Sequence, residues 1–233
     1  MNMTSAAAFM QDLHREIHAH PFLTDPFVQN MSKPGGVTRA QARRFAVLYY
    51  PHIFRTRLYQ ANALGIAPDE KVQFTLSEIL HDEYGEGDFE RTHPAVYRKF
   101  LRALEVPEKE WSLEPAFPEL RLYIDAMMRL TQDESRWLAA AAAVGIASEW
   151  PIPTLYAAFL KGLRTVPGLK EDDLELFISH IGIDEKHSEM MKVALLPHAE
   201  TTEGQAALRE GVRSNLDARR VMLAGLWREV FGG

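Results

Sequence analysis

The segment from His180 to His187 constrains the fold of this chain more than any other feature. Its two histidines and Asp184 lie at positions i, i+4 and i+7. An α-helix turns by about 100° per residue, so the three side chains project from one helix face. Imidazole and carboxylate are metal-ligand types, and a polar face turned inward needs a partner. We therefore predict a helix with a metal-binding face; histidines that only hydrogen bond to Asp184 are the alternative.

The absence of cysteine limits the chemistry that the chain supports. None of the 233 residues is a cysteine. This excludes disulfides, thiolate metal sites, iron–sulfur clusters and cysteine nucleophiles. A metal would have to be held by histidine and carboxylate, and those ligands suit iron, manganese or zinc.

Charge and hydropathy indicate a soluble globular protein. The formal net charge is −6, 46% of the residues are hydrophobic and 25% are charged. Nucleic-acid-binding surfaces are usually basic, and no apolar run here is long enough to span a bilayer. The N-terminus does not have the pattern of a secretion signal. We therefore expect a cytoplasmic protein with neither a nucleic-acid nor a membrane partner.

Capping motifs, prolines and glycines divide the chain into helices. Thr38 and Gln41 form a capping box before a long helix that contains Pro51, and Thr202 and Gln205 form a second box before the last helix. No segment alternates like a strand, and no linker divides the chain. We predict an all-α bundle of about seven to nine helices in a single domain over residues 1–233. The predicted helices cover residues 4–18, 38–64, 68–83, 94–104, 119–130, 134–149, 151–163, 171–195 and 202–230.

A glutamate ends the alanine-rich segment of residues 138–149. Ala142, Gly145 and Ile146 precede Glu149 on one helix face, and small residues there allow a neighbouring helix or a metal to approach. A buried carboxylate needs a compensating partner. Glu149 is therefore a candidate ligand, and a solvent-exposed glutamate beside Trp150 is the alternative.

A second carboxylate lies on an apolar stripe. Val72, Leu76, Ile79 and Glu83 are spaced at i, i+4, i+7 and i+11, so they share one helix face. A carboxylate on such a face is turned inward and needs a partner. We therefore predict that Glu83 is a metal ligand.

A histidine follows ten residues after this glutamate. His93 stands directly before Pro94 at a predicted helix start, and the intervening loop contains two glycines. Such a loop would allow His93 to fold back toward Glu83. A capping or loop role is the alternative for His93. Glu78 and His81, at i and i+3, form a competing ligand pair, but Glu83 fits the apolar stripe better.

These segments together supply three imidazoles and three carboxylates. Two iron ions bridged by a carboxylate need about that many ligands and keep open positions for O2. The candidate ligands are Glu83, His93, Glu149, His180, Asp184 and His187.

The same residues resemble the heme-oxygenase-like diiron oxidase and oxygenase group. That group is related in fold to the TenA thiaminases, the pyrroloquinoline-quinone synthases and the Chlamydia protein associating with death domains. The resemblance covers most of the chain, and the full set of motifs is specific, whereas the His-Pro and aromatic segments alone are not. The matching segments are His20-Pro21-Phe22-Leu23, the aromatic run from Phe45 to His52, Glu83-Tyr84-Gly85 with His93-Pro94, Glu149 at 31 residues before His180, and His180 with Asp184 and His187.

The resemblance implies a heme-oxygenase-like helical bundle that binds two iron ions, or a manganese–iron pair, with O2 as co-substrate. The six candidate ligands would hold the metals, with Glu149 as the bridging, catalytic carboxylate. Members of the group oxidise small organic substrates: they hydroxylate nitrogen, cleave C–C bonds or form aminobenzoate by self-sacrifice. An external electron donor and a homodimer are further expectations.

The chain departs from the group's patterns in three respects. Some N-oxygenating relatives carry a further carboxylate on the second helix, but residues 38–67 contain neither Asp nor Glu. Relatives that form aminobenzoate use tyrosines near the metal. Here Ser148 precedes Glu149 and Leu176 lies four residues before His180, which disfavours that activity. TenA-type catalysis relies on a cysteine, which this chain lacks.

The aromatic segment of the long second helix provides weak candidate substrate contacts. These are Tyr49, His52 and Arg55, and the arginine would pair with a substrate carboxylate. Core aromatic residues and a solvated arginine are the alternative. Two other functions stay open: a metal-free, cofactor-independent oxidase or small-molecule-binding protein on the same fold, and a helical interaction protein.

Overall fold

The all-helical prediction is confirmed. The computed structural model describes residues 5–232, apart from the side chains of residues 183–186. This part of the chain contains ten α-helices, several short 3-10 segments and no strand. None of the described helices is long and apolar enough to cross a bilayer. The helices are α1 Ala6–His18, α2 Pro26–Met31, α3 Arg39–Ile66, α4 Glu70–Glu83, α5 His93–Ala103, α6 Pro118–Thr131, α7 Trp137–Gly145, α8 Ile152–Leu163, α9 Glu175–Leu195 and α10 Thr202–Phe231.

Side-chain caps fix the start of the two longest helices. The capping box predicted for α3 is present: the Thr38 hydroxyl accepts from the Gln41 amide N–H, and the Gln41 side chain accepts from the Thr38 amide N–H. Pro51 lies inside α3, as predicted. The second predicted box is wrong by one residue, because Thr201 and not Thr202 is the capping residue of α10.

Two helix starts differ from the prediction because aspartates cap them. α2 occupies a stretch that was predicted to be a loop, since the Asp25 carboxylate accepts the Phe27 amide N–H at 2.9 Å. This helix raises the number of helices above the predicted range. α4 begins after Asp69 rather than at Pro68, because the Asp69 carboxylate accepts two amide N–H groups of the first turn.

The helix α7 ends four residues earlier than predicted, at Gly145. The amide N–H groups of Ile146 and Ala147 both donate to the Ala142 carbonyl oxygen at 3.0 Å, and the chain then turns. Glu149, which was predicted to end this helix, lies in the turn between α7 and α8. The turn, and not helical periodicity, therefore sets the position of Glu149.

Three long helices organise the bundle. α3 contacts α4, α5, α6, α7 and α10, while α9 contacts α4, α5 and α8. α10 packs against α7 so closely that a Cβ atom on Gly211 would clash with the Ala139 carbonyl oxygen. The candidate ligands lie in the core, where five segments meet. These segments are the end of α4, the start of α5, the middle of α3, the middle of α9 and the turn between α7 and α8.

Candidate metal centre

Three candidate ligands from three helices meet in the core. Glu83 ends α4, His93 begins α5 and His180 belongs to α9. Each offers one ligand atom, and these atoms lie within 4.8 Å of one another. Nδ1 of His93 is 2.7 Å from Oε2 of Glu83, and the ring centroids of His93 and His180 are 4.4 Å apart. Ligand atoms of one cation are separated by about 3–4 Å, so a small side-chain shift allows all three to bind one ion.

The charges in this cluster favour an ionised Glu83 and a neutral His180. Burial raises the pKa of Glu83, but the charge of His93 and its hydrogen bond outweigh burial and lower that pKa to about 2. Burial lowers the pKa of His93, but Glu83 outweighs this effect and the pKa is raised. Burial and the charge of His93 lower the pKa of His180 to about 3. His180 is therefore a neutral imidazole, which is the form that binds metals.

A backbone carbonyl orients the ring of His180. Nδ1 of His180 lies 2.6 Å from the Leu176 carbonyl oxygen. Nδ1 must carry the hydrogen to donate to this oxygen, which assigns the lone pair to Nε2. Nε2 is then the atom available to a metal, and the backbone bond holds it in place.

Glu149 and His187 form a second buried pair. Oε2 of Glu149 is 3.5 Å from Nδ1 of His187, and Nε2 of His187 is 2.6 Å from Oδ2 of Asp82. Burial lowers the pKa of His187, but Glu149 and Asp82 outweigh burial and raise that pKa to about 9. The pair offers one carboxylate and one imidazole to a cation, which would have to displace the proton that this raised pKa favours on the ring, and Asp82 orients the ring.

Gln60 of α3 connects the two groups of candidate ligands. Its Nε2 lies 3.4 Å from Oε1 of Glu83 and 3.3 Å from Oε1 of Glu149, so the side-chain amide donates to both carboxylates. Gln60 is 1% exposed, and its Oε1 has no hydrogen-bond partner among the described side chains. A buried amide oxygen without a donor is costly, which indicates that a further group completes the site.

The helix α10 holds the turn that carries Glu149. Because the Ala147 amide does not donate to the Ala143 carbonyl oxygen, this oxygen accepts instead from Asn215 Nδ2 at 2.7 Å and from the Ser148 hydroxyl at 3.1 Å. Asn215 Nδ2 also donates to Ser148 Oγ at 2.9 Å. Ser148 directly precedes Glu149, so these bonds fix the backbone from which the carboxylate extends.

A small cavity borders the candidate ligands. Its volume is about 30 Å³, enough for about two water molecules. Glu83, His93, Glu149 and His180 line it. The ring centroid of Tyr156, from α8, is 5.6 Å from that of His180. The other polar residues of the wall are His52, Thr56, Ser148, Tyr156 and Arg219.

The structure brings five of the six predicted ligands into one site, as a group of three and a pair. The side chain of the sixth, Asp184, lies outside the described residues. Glu78 and His81, the competing pair, are exposed to solvent, whereas Glu83 is buried. Glu83 is thus the better placed carboxylate of α4.

The predicted substrate contacts have different surroundings. His52 lines the cavity, whereas neither Tyr49 nor Arg55 belongs to the described residues of its wall. Tyr49 is buried with its ring centroid 4.8 Å from that of His52. Nη1 of Arg55 donates to the carbonyl oxygens of Pro51 at 3.2 Å and Leu113 at 2.6 Å. The backbone therefore occupies the guanidinium that was expected to reach a substrate.

The sequence analysis did not identify several polar residues of the site, among them Gln60, Asp82, Asn215 and Arg219. The signal that indicated Glu83 also exists in α10. Leu208, Val212, Asn215 and Arg219 follow one another at i, i+4, i+7 and i+11, and all four are buried. Asn215 and Arg219 are polar residues on an apolar stripe, so the same pattern in the sequence could have identified these two.

Comparison with known proteins gives the family. A family model described as an iron-containing redox enzyme matches residues 43–220 of this chain. The chain belongs to this family. All six predicted ligands and the cavity of this iron-containing redox enzyme lie inside the matched region. The chain is also 25% identical over 229 residues to the 4-aminobenzoate synthase of Nitrosomonas europaea, covering 94% of this chain and 90% of that protein.

Solved structures share the fold of this iron-containing redox enzyme. A Cadd-like protein of unknown function from Nostoc punctiforme has a TM-score of 0.75 at 17% identity, covering 97% of this chain and 98% of that one. A TenA homologue from Pseudomonas syringae pv. tomato has a TM-score of 0.72 at 15% identity, with 98% and 97% covered. A domain of unknown function with a heme oxygenase-like fold from Shewanella denitrificans has a TM-score of 0.71 at 18% identity, with 98% and 94% covered. The heme-oxygenase-like fold is thereby confirmed.

Proposed function

We propose that this protein is a non-heme diiron enzyme that uses O2 to oxidise a small organic substrate. The observation that carries the proposal is the cluster of Glu83, His93 and His180, whose ligand atoms lie within 4.8 Å of one another in the core. The pair of Glu149 and His187 adjoins this cluster through Gln60. Membership of the iron-containing redox enzymes supports iron as the metal.

The residues present fit two neighbouring cations. Glu83, His93 and His180 would hold one ion, and Glu149 and His187 would hold the second, with Asp184 of the same α9 face as a further ligand. Imidazole and carboxylate suit iron, and a manganese–iron pair satisfies the same ligands. Oε1 of Gln60, which has no partner among the described side chains, is a further oxygen that would bind a cation.

The protein's own residues would prepare the site in three ways. Bound iron would supply the redox and Lewis-acid chemistry with O2. The Leu176 carbonyl and the Asp82 carboxylate orient the rings of His180 and His187. The α7–α8 turn fixes Glu149, which we propose as the bridging carboxylate. The cavity that Glu83, His93, Glu149 and His180 line is small, at about 30 Å³. The reaction would be oxidative C–C cleavage, hydroxylation or N-oxygenation.

The first experiment is anaerobic loading with Fe(II), removal of free metal and elemental analysis for iron and manganese. We expect about two metal ions per chain and O2 consumption on mixing with air. His180→Ala and Glu149→Ala should each lose metal. Glu78→Ala and His81→Ala are the matched controls, because these exposed residues of α4 are the rival ligands, and both should keep it.

Two results would contradict the proposal. Wild-type protein that binds no metal would favour the metal-free oxidase or binding protein on the same fold. Loss of metal in the Glu78 and His81 variants, but not in His180→Ala, would move the metal site to the surface of α4.

A second candidate is formation of 4-aminobenzoate. It is favoured by the similarity to a 4-aminobenzoate synthase and by Tyr156, whose ring lies 5.6 Å from His180. No tyrosine stands directly before Glu149 or four residues before His180 in the sequence, but α8 places Tyr156 next to His180. Chromatography for 4-aminobenzoate after aerobic turnover tests this candidate, with Tyr156→Phe as the variant that should abolish the product.

We further propose that the protein uses an external electron donor and forms a homodimer. An external electron donor is needed if the substrate itself does not supply the electrons that reduce O2. Adding a chemical reductant should then raise the number of turnovers. Analytical ultracentrifugation tests the predicted homodimer.

A further inference from the structure

Arg219 of α10 is a buried cation without a counter-ion among the described residues. It is 2% exposed, and its Nε and Nη1 atoms have no hydrogen-bond partner in the part of the chain that the structure describes. Nη2 reaches Ser148 Oγ only at 3.5 Å, and within the described part of the chain no carboxylate lies within 4.0 Å of the guanidinium. A guanidinium stays charged even when it is buried, so this charge destabilises the protein unless an anion neutralises it.

The aromatic groups around Arg219 do not supply a negative charge. Burial lowers the pKa of Arg219, but the phenol of Tyr123, which also hydrogen bonds to the guanidinium, and the phenol of Tyr49 raise it. Burial raises the pKa of Tyr49 to about 12, so that phenol is neutral at pH 7. Cζ of Arg219 lies 5.9 Å from the ring centroid of Phe22. Phenols and ring faces attract a cation but leave its net charge in place.

A second polar group without a partner faces the same cavity. His52 is 4% exposed, and its Nδ1 atom has no hydrogen-bond partner among the residues described. Both His52 and Arg219 line the cavity that borders Glu83 and His180. A neutral imidazole always has one N–H to donate. In the tautomer that carries this hydrogen on Nδ1, His52 adds a second donor to the wall beside the candidate metal ligands.

We propose that Arg219 and His52 bind the carboxylate of a small organic acid, and that such an acid is the substrate of this enzyme. The role of the acid as a substrate depends on the function proposed above, whereas the binding of its carboxylate does not depend on that function. The carboxylate accepts from the guanidinium N–H groups that lack acceptors and neutralises the buried charge. It also holds the rest of the acid next to the candidate ligands, as a positioning clamp does.

The cavity sets the size of the probes. Its volume of about 30 Å³ corresponds to about two water molecules, which is comparable with a single carboxylate group. Acetate is therefore the test anion. Acetamide has the same shape without the charge, and chloride at equal ionic strength separates a carboxylate site from a general anion effect.

The experiment uses the full-length, metal-free protein, so failure to bind iron does not affect it. We expect acetate to raise the thermal unfolding midpoint by about 2 °C or more, while acetamide and chloride do not. In ¹⁵N NMR spectra the Nε–H signal of Arg219 should shift and saturate with acetate. This second readout needs no variant.

Variants separate a binding role from a structural role. Arg219→Met removes the charge and keeps much of the volume, so the unliganded protein should unfold at the same or a higher temperature. Its acetate response should disappear while its metal content stays at the wild-type level. Arg219→Lys should respond about tenfold more weakly, since ammonium lacks the planar fork. Arg44→Gln is the charge-matched control, because Arg44 is half exposed and pairs with Glu229, and it should respond like wild type.

Three outcomes would overturn the proposal. One is an equal response to acetate and acetamide, and another is an equal response to chloride. The third is an Arg219 Nε–H signal that stays unchanged at saturating acetate. If the protein binds iron but gives any of these three results, the proposed substrate class is wrong and the diiron proposal stands.

Discussion

Asn215 on α10 donates a hydrogen bond to the Ala143 carbonyl oxygen on α7, at 2.7 Å. The two residues are 72 positions apart in the sequence. The carbonyl is available because the last turn of α7 is irregular, with two amides donating to Ala142. One amide side chain therefore stabilises the chain reversal that places Glu149 among the candidate ligands.

Removing this amide should loosen the turn. Asn215→Ala leaves the buried Ala143 carbonyl with one fewer donor, and we expect the free energy of unfolding to fall by about 1–3 kcal/mol. Metal affinity should fall as well, because Glu149 is less well positioned. Urea unfolding of the metal-free protein and Fe(II) titration measure the two effects. Asn62→Ala is the control, since the contacts of Asn62 are long, at 3.5 and 3.8 Å; an equal loss there would assign the effect to general core disruption.

A carboxylate in place of Gln60 should be poorly tolerated without metal. Gln60→Glu puts a third carboxylate against Glu83 and Glu149, and we expect a loss of about 3 kcal/mol or more at pH 7. Gln60→Leu removes only the hydrogen bonds and should lose about 1–3 kcal/mol. Fe(II) should restore more stability to Gln60→Glu than to Gln60→Leu, because a cation neutralises the added charge. Anaerobic urea unfolding with and without Fe(II) measures this, and equal stability of the two metal-free variants would contradict the observed proximity.

The contact between α7 and α10 depends on a glycine. A Cβ atom at Gly211 would overlap the Ala139 carbonyl oxygen, so Gly211→Ala should lower the free energy of unfolding by about 1–3 kcal/mol. Gly65→Ala is the matched control within a helix, because nothing lies within 4 Å of its added Cβ. It should gain about 0.5 kcal/mol by reducing the freedom of the unfolded chain. Chemical denaturation measures both, and a neutral Gly211→Ala would mean that the two helices are farther apart.

The cap of α4 should give stability that depends on pH. The hydrogen bond from the Val72 amide outweighs burial and, with those from the Lys71 amide and His198, lowers the pKa of Asp69 below its usual 3.8. A lowered pKa means that the unfolded chain binds the proton more readily. The stabilisation is therefore complete above the unfolded value and is lost as pH falls through the folded value.

Comparison of the wild type with Asp69→Ala tests this dependence. The variant should be less stable by about 1 kcal/mol at pH 7, and the difference should shrink below about pH 4. Urea unfolding at several pH values between 3 and 7 measures it. A difference that is as large at pH 3 as at pH 7 would mean that the ionised carboxylate of Asp69 is not the source of the stabilisation. Asp88→Ala, which removes the cap of a short 3-10 segment, should show a much smaller effect.

Features that depend on neighbours in the chain were predictable from the sequence. The spacing of His180, Asp184 and His187 places all three in one helix, and the Thr38–Gln41 box gives the start of α3. The apolar stripe ending at Glu83 correctly indicates burial of its carboxylate, which is 5% exposed. These features follow from a period of 3.6 residues and from hydrogen bonds within a single turn, so they need no knowledge of the rest of the protein.

Tertiary structure decided how these local pieces meet. Gln60 contacts Glu149 across 89 positions, and Arg219 contacts Ser148 across 71. Glu149 itself leaves the helix that its alanine-rich segment favours, because a donor on α10 satisfies the carbonyl that the irregular turn exposes. Helical propensity is a small energy per residue, and a buried hydrogen bond between distant helices outweighs it. The sequence by itself therefore determined the helices and most of the candidate ligands, while the packing of α3, α7 and α10 decided the turn, the position of the connecting amide of Gln60 and the burial of Arg219.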